Sequence, residues 1–363
     1  MKILSLAFGL LLLSSKLNGG RQVQAVLQAP LVPDWERSAE PYNRPLMQAL
    51  REKIEDKVFK QINSVVVIKK GKLLVEEYYN GTTSTVLHDT RSVSKSFASA
   101  LTGIALKDGH LESIEQPLSS FYRLQRFRNY NPAKARITLD QLLTMSSGFA
   151  GDDNDDKSPG NENNMYAKPN WVAWTLSLPM APDRQPGEQW RYFTAGVVVL
   201  GDILNQKVPG GLEKYAQEKL FQPLGITRCR WSYTPQGVPS TAGGLRLTPL
   251  DLARFGQLYK NGGRWQGQQI LPAGWVAESF RKYHQTPFGD FYGYLWWNKT
   301  YDVAGKRQET FFCSGNGGNK IFVFMDLDLV VVVTASAYNQ PYMHKQVDEL
   351  MEQYVLPAVI RSK

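Results

Sequence analysis

The sequence predicts an α+β fold in which a mainly antiparallel sheet is flanked by helices and carries an all-helical insertion domain. Runs rich in β-branched and aromatic residues, typical of strands, occur near both ends of the chain. The long segment between them has mostly helical spacing of its apolar residues. Strands from both ends must therefore share one sheet. We expect an α/β domain at residues 44–110 and 286–363, and the all-helical domain at residues 111–285.

The first elements follow from local patterns. Arg44–Lys57 has apolar residues at helical spacing and is predicted to be a helix. Two β-rich runs, Ser64–Lys69 and Lys72–Tyr79, are joined at Lys70-Gly71, which indicates a hairpin. A helix is predicted from about Ser92 to Asp108. It should be buried because apolar residues lie on most of its sides.

The remaining elements follow in order. Helical periodicity is found in the middle of the chain at Leu139–Met145, Trp171–Leu178, Ala195–Gln206, Leu212–Leu220, Pro249–Tyr259 and Ala273–Lys282. Strand patterns return at Phe291–Asn298, Thr310–Ser314, Lys320–Met325 and Leu329–Ala335. Met343–Leu356 is predicted to close the chain as a helix.

The N-terminus resembles a signal peptide. Lys2 supplies the charge, Ile3–Leu13 forms the apolar core, and small residues follow. Residues 1–20 are therefore expected to be a signal peptide and residues 21–43 a polar, proline-containing leader, so the protein should be exported to the periplasm or secreted. The alternative is an uncleaved signal anchor that tethers the protein to a membrane.

Composition limits the possible partners. Hydrophobic residues make up 42% of the chain and charged residues 21%, as in ordinary globular proteins. The net charge is +9, but lysines and arginines are scattered and form no basic stripe for nucleic acid. The sequence indicates no specific protein partner and no cofactor.

The segment Ser92-Val93-Ser94-Lys95 carries the clearest chemical signal. Residues i and i+3 lie on one helix face, so the Ser92 hydroxyl and the Lys95 amine are expected within hydrogen-bond distance. A serine is a weak nucleophile until a neighbouring base takes its proton, and desolvation favours the neutral form of a lysine. Free N–H groups at the helix start suit a developing oxyanion. The alternative is that Ser92 is a plain helix cap.

A second Ser-x-x-Lys match occurs at Ser279–Lys282. Its neighbours Glu278, Arg281 and His284 are polar, which predicts a solvated helix end. The apolar surroundings of Ser92 therefore favour Ser92 as the nucleophile.

Motifs along residues 45–360 resemble the serine β-lactamase and penicillin-binding superfamily. The resemblance is to the branch of class C β-lactamases, D-aminopeptidase-like enzymes, carboxylesterases and 6-aminohexanoate-oligomer hydrolases. The motifs are Ser92–Phe97, Ile137–Leu139, Leu142–Gly148, Pro186–Glu188, Tyr192–Gly196, Phe221–Ile226, Gly243–Leu245, Leu250–Phe255 and Gly315–Gly318. The resemblance implies the β-lactamase/transpeptidase-like fold, with a cleft between an α/β domain and an all-α domain.

The resemblance also implies further site residues. Tyr192 would move protons beside the Ser–Lys pair, although Thr194 replaces the asparagine of the usual Tyr-x-Asn. The third motif, Lys-Thr-Gly or His-x-Gly in relatives, would fall on Gly315-Asn316-Gly317-Gly318. The N–H groups of Ser92 and Gly318 would then bind the oxyanion. Gly315 would replace the cation that holds a substrate carboxylate, so short-chain esters or small amides should be better substrates than penicillins or cephalosporins. The alternative is that a nearby cation such as Lys320 substitutes for it.

Other candidate sites are weaker. His88, His110, His284 and His344 follow no zinc-binding pattern and are expected at the surface or in loops. The acidic run at residues 152–156 lacks the glycine and glutamate of an EF-hand and is expected to be a solvated loop beside the cleft.

Two residue pairs have two interpretations each. Cys229 and Cys313 are either one disulfide or two buried thiols. Trp296-Trp297 either lines an apolar pocket or packs in the core.

The sequence therefore predicts an exported serine hydrolase that acts on esters or amides through an acyl-enzyme on Ser92, with no metal or cofactor. One alternative is a β-lactamase or penicillin-binding D,D-peptidase. Another is a non-catalytic binding or sensor member of the same fold. The natural substrate, the group that activates the deacylating water and the oligomeric state are not predicted.

Overall fold

The computed structural model describes residues 35–360. The predicted signal peptide and the first part of the leader lie outside these residues. No helix in the described range is long and apolar enough to cross a membrane.

The strands, in chain order, are β1 (Ile62–Lys69), β2 (Lys72–Tyr78), β3 (His88–Asp89), β4 (Arg230–Trp231), β5 (Leu245–Leu247), β6 (Arg264–Trp265), β7 (Gln268–Gln269), β8 (His284–Gln285), β9 (Phe291–Tyr292), β10 (Trp297–Val303), β11 (Lys306–Gly315), β12 (Asn319–Phe324) and β13 (Leu329–Ala335). The main sheet has the order β2-β1-β13-β12-β11-β10-β9-β8 and is antiparallel throughout. Because β1 pairs with β13, strands from both ends of the chain share one sheet, which confirms the predicted fold class.

The helices, in chain order, are α1 (Arg44–Glu55), α2 (Ser94–Lys107), α3 (Pro132–Ala135), α4 (Leu139–Leu143), α5 (Glu162–Tyr166), α6 (Trp171–Leu176), α7 (Thr194–Lys207), α8 (Gly211–Ala216), α9 (Pro249–Lys260), α10 (Trp275–Phe280), α11 (Met343–Leu350) and α12 (Leu356–Val359). Short 3₁₀ turns lie at Arg91–Val93, Leu118–Ser120 and Leu124–Arg126, and π turns lie at Gln217–Phe221 and Met351–Val355.

Two apolar layers bury the main sheet. Val66, Val330 and their neighbours on one face join the core that contains α2 and α9. Val67, Val331 and their neighbours on the other face pack with α1, α11 and α12. Because both faces are buried, the central strands are continuous apolar runs, as in β13.

Three predicted elements differ from the structure. The strand expected at Phe291–Asn298 is divided into β9 and β10, because Leu295 adopts a φ of +59° and the chain turns there. The closing helix passes through a π turn just before Pro357, a residue that donates no backbone hydrogen bond. The middle segment is mainly helical but also contains short strands, with β5 pairing to β3 and β4, and the chain re-enters the main sheet at His284. The division into two domains stays a prediction.

Candidate active site

Ser92 lies in the 3₁₀ turn that leads directly into α2, and not in the first turn of the α-helix as predicted. The preceding residue, Arg91, has a φ of +51°, a conformation that side chains with a Cβ rarely adopt. Its N–H donates to Asp89 Oδ1 over 3.2 Å, and its guanidinium stacks 4.4 Å from the centre of the Tyr338 ring. The surroundings therefore hold a strained backbone directly before Ser92, as is common at functional sites.

Lys95 lies one turn after Ser92, on the same side of the helix. Its Nζ donates to Ser92 Oγ over 2.8 Å and to the carbonyl oxygen of Ala242 over 2.6 Å. Lys95 is 2% exposed, while Ser92 is half-buried and lines a pocket. The predicted proximity of the two side chains is confirmed, and the carbonyl of Ala242 fixes the amine in place.

Tyr192 lines the same pocket immediately before α7. Its ring centre is 5.1 Å from Lys95 Nζ. The rings of Trp190 and Trp297 lie 6.1 and 5.9 Å away and pack against the tyrosine ring. The structure thus brings the three predicted catalytic residues to one place.

Thr194 does not reach the pocket wall. It is fully buried as the first residue of α7, and its N–H donates to Asp153 Oδ2 over 2.6 Å. The prediction that Thr194 contacts substrate is therefore not supported by its position.

Asp153 occupies this region of the pocket instead. Its other oxygen accepts the N–H of Glu162 over 2.8 Å, so one carboxylate caps the starts of both α5 and α7. Burial, with a contribution from the charge of Glu162, raises the pKa of Asp153 to about 6. The sequence pattern predicts a solvated loop beside the cleft, and residues 154–156 are exposed, but Asp153 is half-buried. The two N–H groups that Asp153 accepts lie 9 and 41 residues further along the chain, so the local pattern of the acidic run does not show these contacts.

The glycine-rich segment differs from its predicted role. The N–H of Gly318 donates to the carbonyl of Gly315 over 3.2 Å within a tight turn, and the N–H of Gly317 faces Met343 Sδ at 3.3 Å. Neither glycine lines the pocket. The assignment of Gly318 as an oxyanion donor is thus corrected. Instead, the N–H of Asn316, a residue that does line the pocket, has no hydrogen-bond acceptor among residues 35–360.

Gly315 itself packs against the 3₁₀ turn that contains Ser92. A Cβ at this position would overlap the carbonyl oxygen of Thr90 and would lie 3.3 Å from the N atom of Ser92. No cationic side chain fits there, so Gly315 matches the glycine of the third motif and not its first residue. The cation position then falls on Cys313, which is fully buried, and the middle position on Ser314, which lines the pocket.

A lysine from the neighbouring strand meets Ser314. Lys320 on β12 is 5% exposed, lines the pocket and donates from Nζ to Ser314 Oγ over 2.8 Å. Burial, reinforced by repulsion from Lys299, lowers the pKa of Lys320 to about 7. Lys299 in turn forms an ion pair with Asp348, which also accepts from the hydroxyl of Tyr301 over 2.7 Å.

The pocket that joins these groups has a volume of about 500 Å³. Trp297, Phe288 and Phe312 form its apolar wall, whereas Trp296 is buried in the core. Of the predicted pair, Trp297 therefore lines the pocket and Trp296 packs in the core. In the described part of the chain, no group of three His, Cys, Asp or Glu residues is placed to hold a metal ion.

The remaining candidates fall elsewhere. Ser279 is buried, not solvated, and donates to the carbonyl of Trp275 over 2.7 Å inside α10, so it is closed to substrate. The two cysteines are free thiols. His88 is buried against Asn319 at 2.7 Å, and His344 lines the pocket, so the surface prediction was wrong for these two histidines.

A Ser–Lys pair at the start of a buried helix, packed against an antiparallel sheet beside a pocket, defines a class of serine hydrolases. The Beta-lactamase family model matches residues 51–354, and the chain belongs to this family.

The curated relatives match only part of the chain, at modest sequence identity. The chain is 31% identical over 164 residues to a lovastatin esterase of Penicillium rubens, a match that covers 41% of this chain and 38% of the esterase. The chain thus spans well under half the length of the curated relatives that it matches.

Two solved structures share the fold. A Bacillus anthracis protein assigned as a 6-aminohexanoate-dimer hydrolase has a TM-score of 0.72 at 18% identity, over 90% of this chain and 87% of that one. A family VIII carboxylesterase has a TM-score of 0.65 at 14% identity, over 88% and 99% of the two chains.

Proposed function

We propose that this protein hydrolyses esters or small amides through an acyl-enzyme on Ser92. The observation that carries the proposal is the 2.8 Å contact between Lys95 Nζ and Ser92 Oγ at the wall of an open pocket. Membership of the Beta-lactamase family supports it, as does the similarity to a lovastatin esterase.

In the acylation step, Ser92 Oγ attacks the carbonyl carbon and its proton passes to the amine of Lys95, which acts as the base. The N–H groups of Ser92 and Asn316 face the place where the oxyanion develops. The leaving alkoxide or amine takes a proton from Lys95, directly or through the Tyr192 hydroxyl, as the C–O or C–N bond breaks. Water then attacks the acyl-enzyme, which releases the acid and restores Ser92.

A fluorophosphonate probe followed by peptide mapping tests the nucleophile. We expect the adduct on Ser92, and Ser92→Ala should abolish both labelling and ester turnover. Ser279→Ala is the matched control and should change neither, since Ser279 is buried within α10. Labelling that persists in Ser92→Ala would contradict the assignment. A wild-type protein that takes up no probe would favour a non-catalytic binding role.

β-Lactam hydrolysis is a second candidate, favoured by one observation. Lys320, a nearby cation that could substitute for the one missing at Gly315, brings an amine next to Ser314 in the pocket. Values of kcat/KM for a butyryl ester and a cephalosporin, measured side by side, would rank the two activities. Higher turnover of the cephalosporin would make β-lactamase the first assignment.

Export is the remaining part of the proposal. It is supported by the pattern of Lys2 followed by the apolar segment Ile3–Leu13.

A further inference from the structure

A single buried amide connects the two segments that supply the oxyanion donors. Asn319 is the first residue of β12, pairs with Gly315 across the turn between β11 and β12, and is 2% exposed. That turn carries Asn316, while β3 ends at Asp89, shortly before the 3₁₀ turn that contains Ser92. Asn319 itself does not line the pocket. Any effect of this residue on catalysis therefore passes through the two segments.

The donor side of the Asn319 amide contacts both segments. Its Nδ2 donates to the carbonyl oxygen of Asn316 over 2.8 Å and to that of Asp89 over a longer distance of 3.4 Å. Asp89 Oδ1 in turn accepts the N–H of Arg91, which directly precedes Ser92, over 3.2 Å. One side chain thus constrains the backbone beside each oxyanion donor.

The acceptor side of the same amide is fixed by the neighbouring strands. Asn319 Oδ1 accepts the N–H of Ala335 over 3.1 Å and lies 2.7 Å from Nε2 of the buried His88. His88 Nε2 also lies 3.2 Å from the carbonyl oxygen of Ala335, so both of its neighbours are oxygen atoms and Nε2 must carry the ring proton. Burial lowers the pKa of His88, although these hydrogen bonds oppose the shift, and the ring is neutral. A rotated Asn319 amide would place its N–H groups against the N–H of Ala335, so the amide has one orientation.

Orientation decides how much an N–H group contributes to catalysis. A donor stabilises the oxyanion most when it already points at the place where the charge develops. The side chain of Asn316 is fixed by Asn339, whose N–H donates to Asn316 Oδ1 over 2.8 Å and whose Oδ1 accepts from Asn316 Nδ2 over 2.6 Å. The carbonyl of Asn316 is held by Asn319 instead. Loss of the Asn319 contact would therefore free the backbone of the turn while its side-chain anchor remains.

We infer that Asn319, held by His88, is a positioning residue that sets the N–H groups of Ser92 and Asn316 for the oxyanion. The inference rests on the proposed hydrolase function and gives two residues outside the pocket a role in it. A purely structural amide would stabilise the sheet but leave the chemistry of the folded protein unchanged. The two roles therefore differ in a measurable way.

Asn319→Asp tests the donor side at almost constant volume. A carboxylate keeps both acceptor contacts but turns a lone pair toward the carbonyl oxygens of Asn316 and Asp89. For p-nitrophenyl butyrate we expect kcat to fall about 10- to 100-fold while KM changes less than about threefold. This loss is somewhat smaller than the roughly 10²- to 10³-fold cost of removing an oxyanion donor outright.

Exchanging the reacting carbonyl oxygen for sulfur reports on the oxyanion directly. The thiono analogue of the same ester develops its charge on sulfur, a weak hydrogen-bond acceptor, so it gains less from the two N–H groups. The ratio of kcat/KM for the oxygen ester to kcat/KM for the thiono ester should therefore fall about 10-fold in Asn319→Asp.

Asn298→Asp is the matched control. Asn298 is also buried in the main sheet, and its Nδ2 donates to the carbonyl oxygen of Thr310 on β11 over 3.2 Å, but it does not line the pocket. This variant should lose stability and keep the wild-type kcat and oxygen-to-thiono ratio.

Variants of His88 give a second test that does not depend on the folding of Asn319→Asp. His88→Gln retains an N–H donor for the Asn319 oxygen and should keep a kcat close to that of the wild type. His88→Leu lacks this donor and should lower both kcat and the oxygen-to-thiono ratio about threefold or more.

The outcomes separate this inference from the hydrolase function. An unchanged oxygen-to-thiono ratio in Asn319→Asp, or in His88→Leu where Asn319→Asp does not fold, would overturn the positioning role and leave Ser92 as the nucleophile. An equal fall of the ratio in Asn298→Asp would overturn it as well. A wild-type protein that neither takes up the fluorophosphonate probe nor hydrolyses esters would overturn the hydrolase function and this role with it.

Discussion

At the residue scale, the Ser92–Lys95 pair depends on an amine that accepts a proton. Lys95→Arg supplies a positive charge but no base, since arginine does not deprotonate in proteins. We expect both Lys95→Arg and Lys95→Ala to lower the acylation rate by about 10² or more, the usual scale of general-base catalysis. Pre-steady-state release of p-nitrophenol measures this rate. Near-normal acylation by Lys95→Arg would mean that Lys95 acts through its charge alone.

A second residue-scale prediction concerns Gly315. A methyl group added at position 315 overlaps the Thr90 carbonyl oxygen beside Ser92. Either β11 or the 3₁₀ turn that contains Ser92 must therefore move. Gly315→Ala should lower the free energy of unfolding by about 1–3 kcal/mol and reduce turnover strongly. Gly243→Ala is the control, because its methyl group would meet Arg91 only at an ordinary distance of 3.9 Å. Urea unfolding and ester hydrolysis measure the two effects, and equal behaviour of both variants would contradict the packing argument.

At the scale of elements, Asp153 links the starts of α5 and α7. Asp153→Ala leaves the N–H groups of Glu162 and Thr194 without their acceptor, which should cost about 1–2 kcal/mol of unfolding free energy. Tyr192 directly precedes α7, so kcat should fall as well. Asp156→Ala, at an exposed position of the same acidic run, should change neither value. Full activity and stability of Asp153→Ala would show that this carboxylate fixes neither helix.

At the scale of the whole molecule, the N-terminus decides where the protein works. If Ile3–Leu13 is the core of a signal peptide, the mature protein begins beyond Leu13. N-terminal sequencing of protein from the envelope or medium should therefore find a shortened chain. An intact Met1 on membrane-bound protein would support the signal-anchor alternative.

The sheet and the proximity of Ser92 to Lys95 could be predicted from the sequence alone. Apolar runs such as Leu329–Ala335 predict buried strands, because successive side chains point to opposite faces of the sheet and both faces are covered by apolar layers. The proximity of Ser92 and Lys95 follows from their local i, i+3 spacing, which places both side chains on one side of the helical turn. The same locality explains why the Lys70-Gly71 hairpin was predicted correctly.

Which other groups share the pocket could not be read from local sequence patterns. Asp153, Asn316 and Lys320 reach it through loops and strand register, which bring together residues far apart in sequence. Placing the third motif two residues earlier in the sequence moves its cation position from Gly315 to Cys313 and its oxyanion donor from Gly318 to Asn316. The pattern of glycines alone does not distinguish the two placements. Sequence spacing fixes contacts within a turn of helix, whereas contacts across a sheet depend on pairing that the spacing alone does not specify.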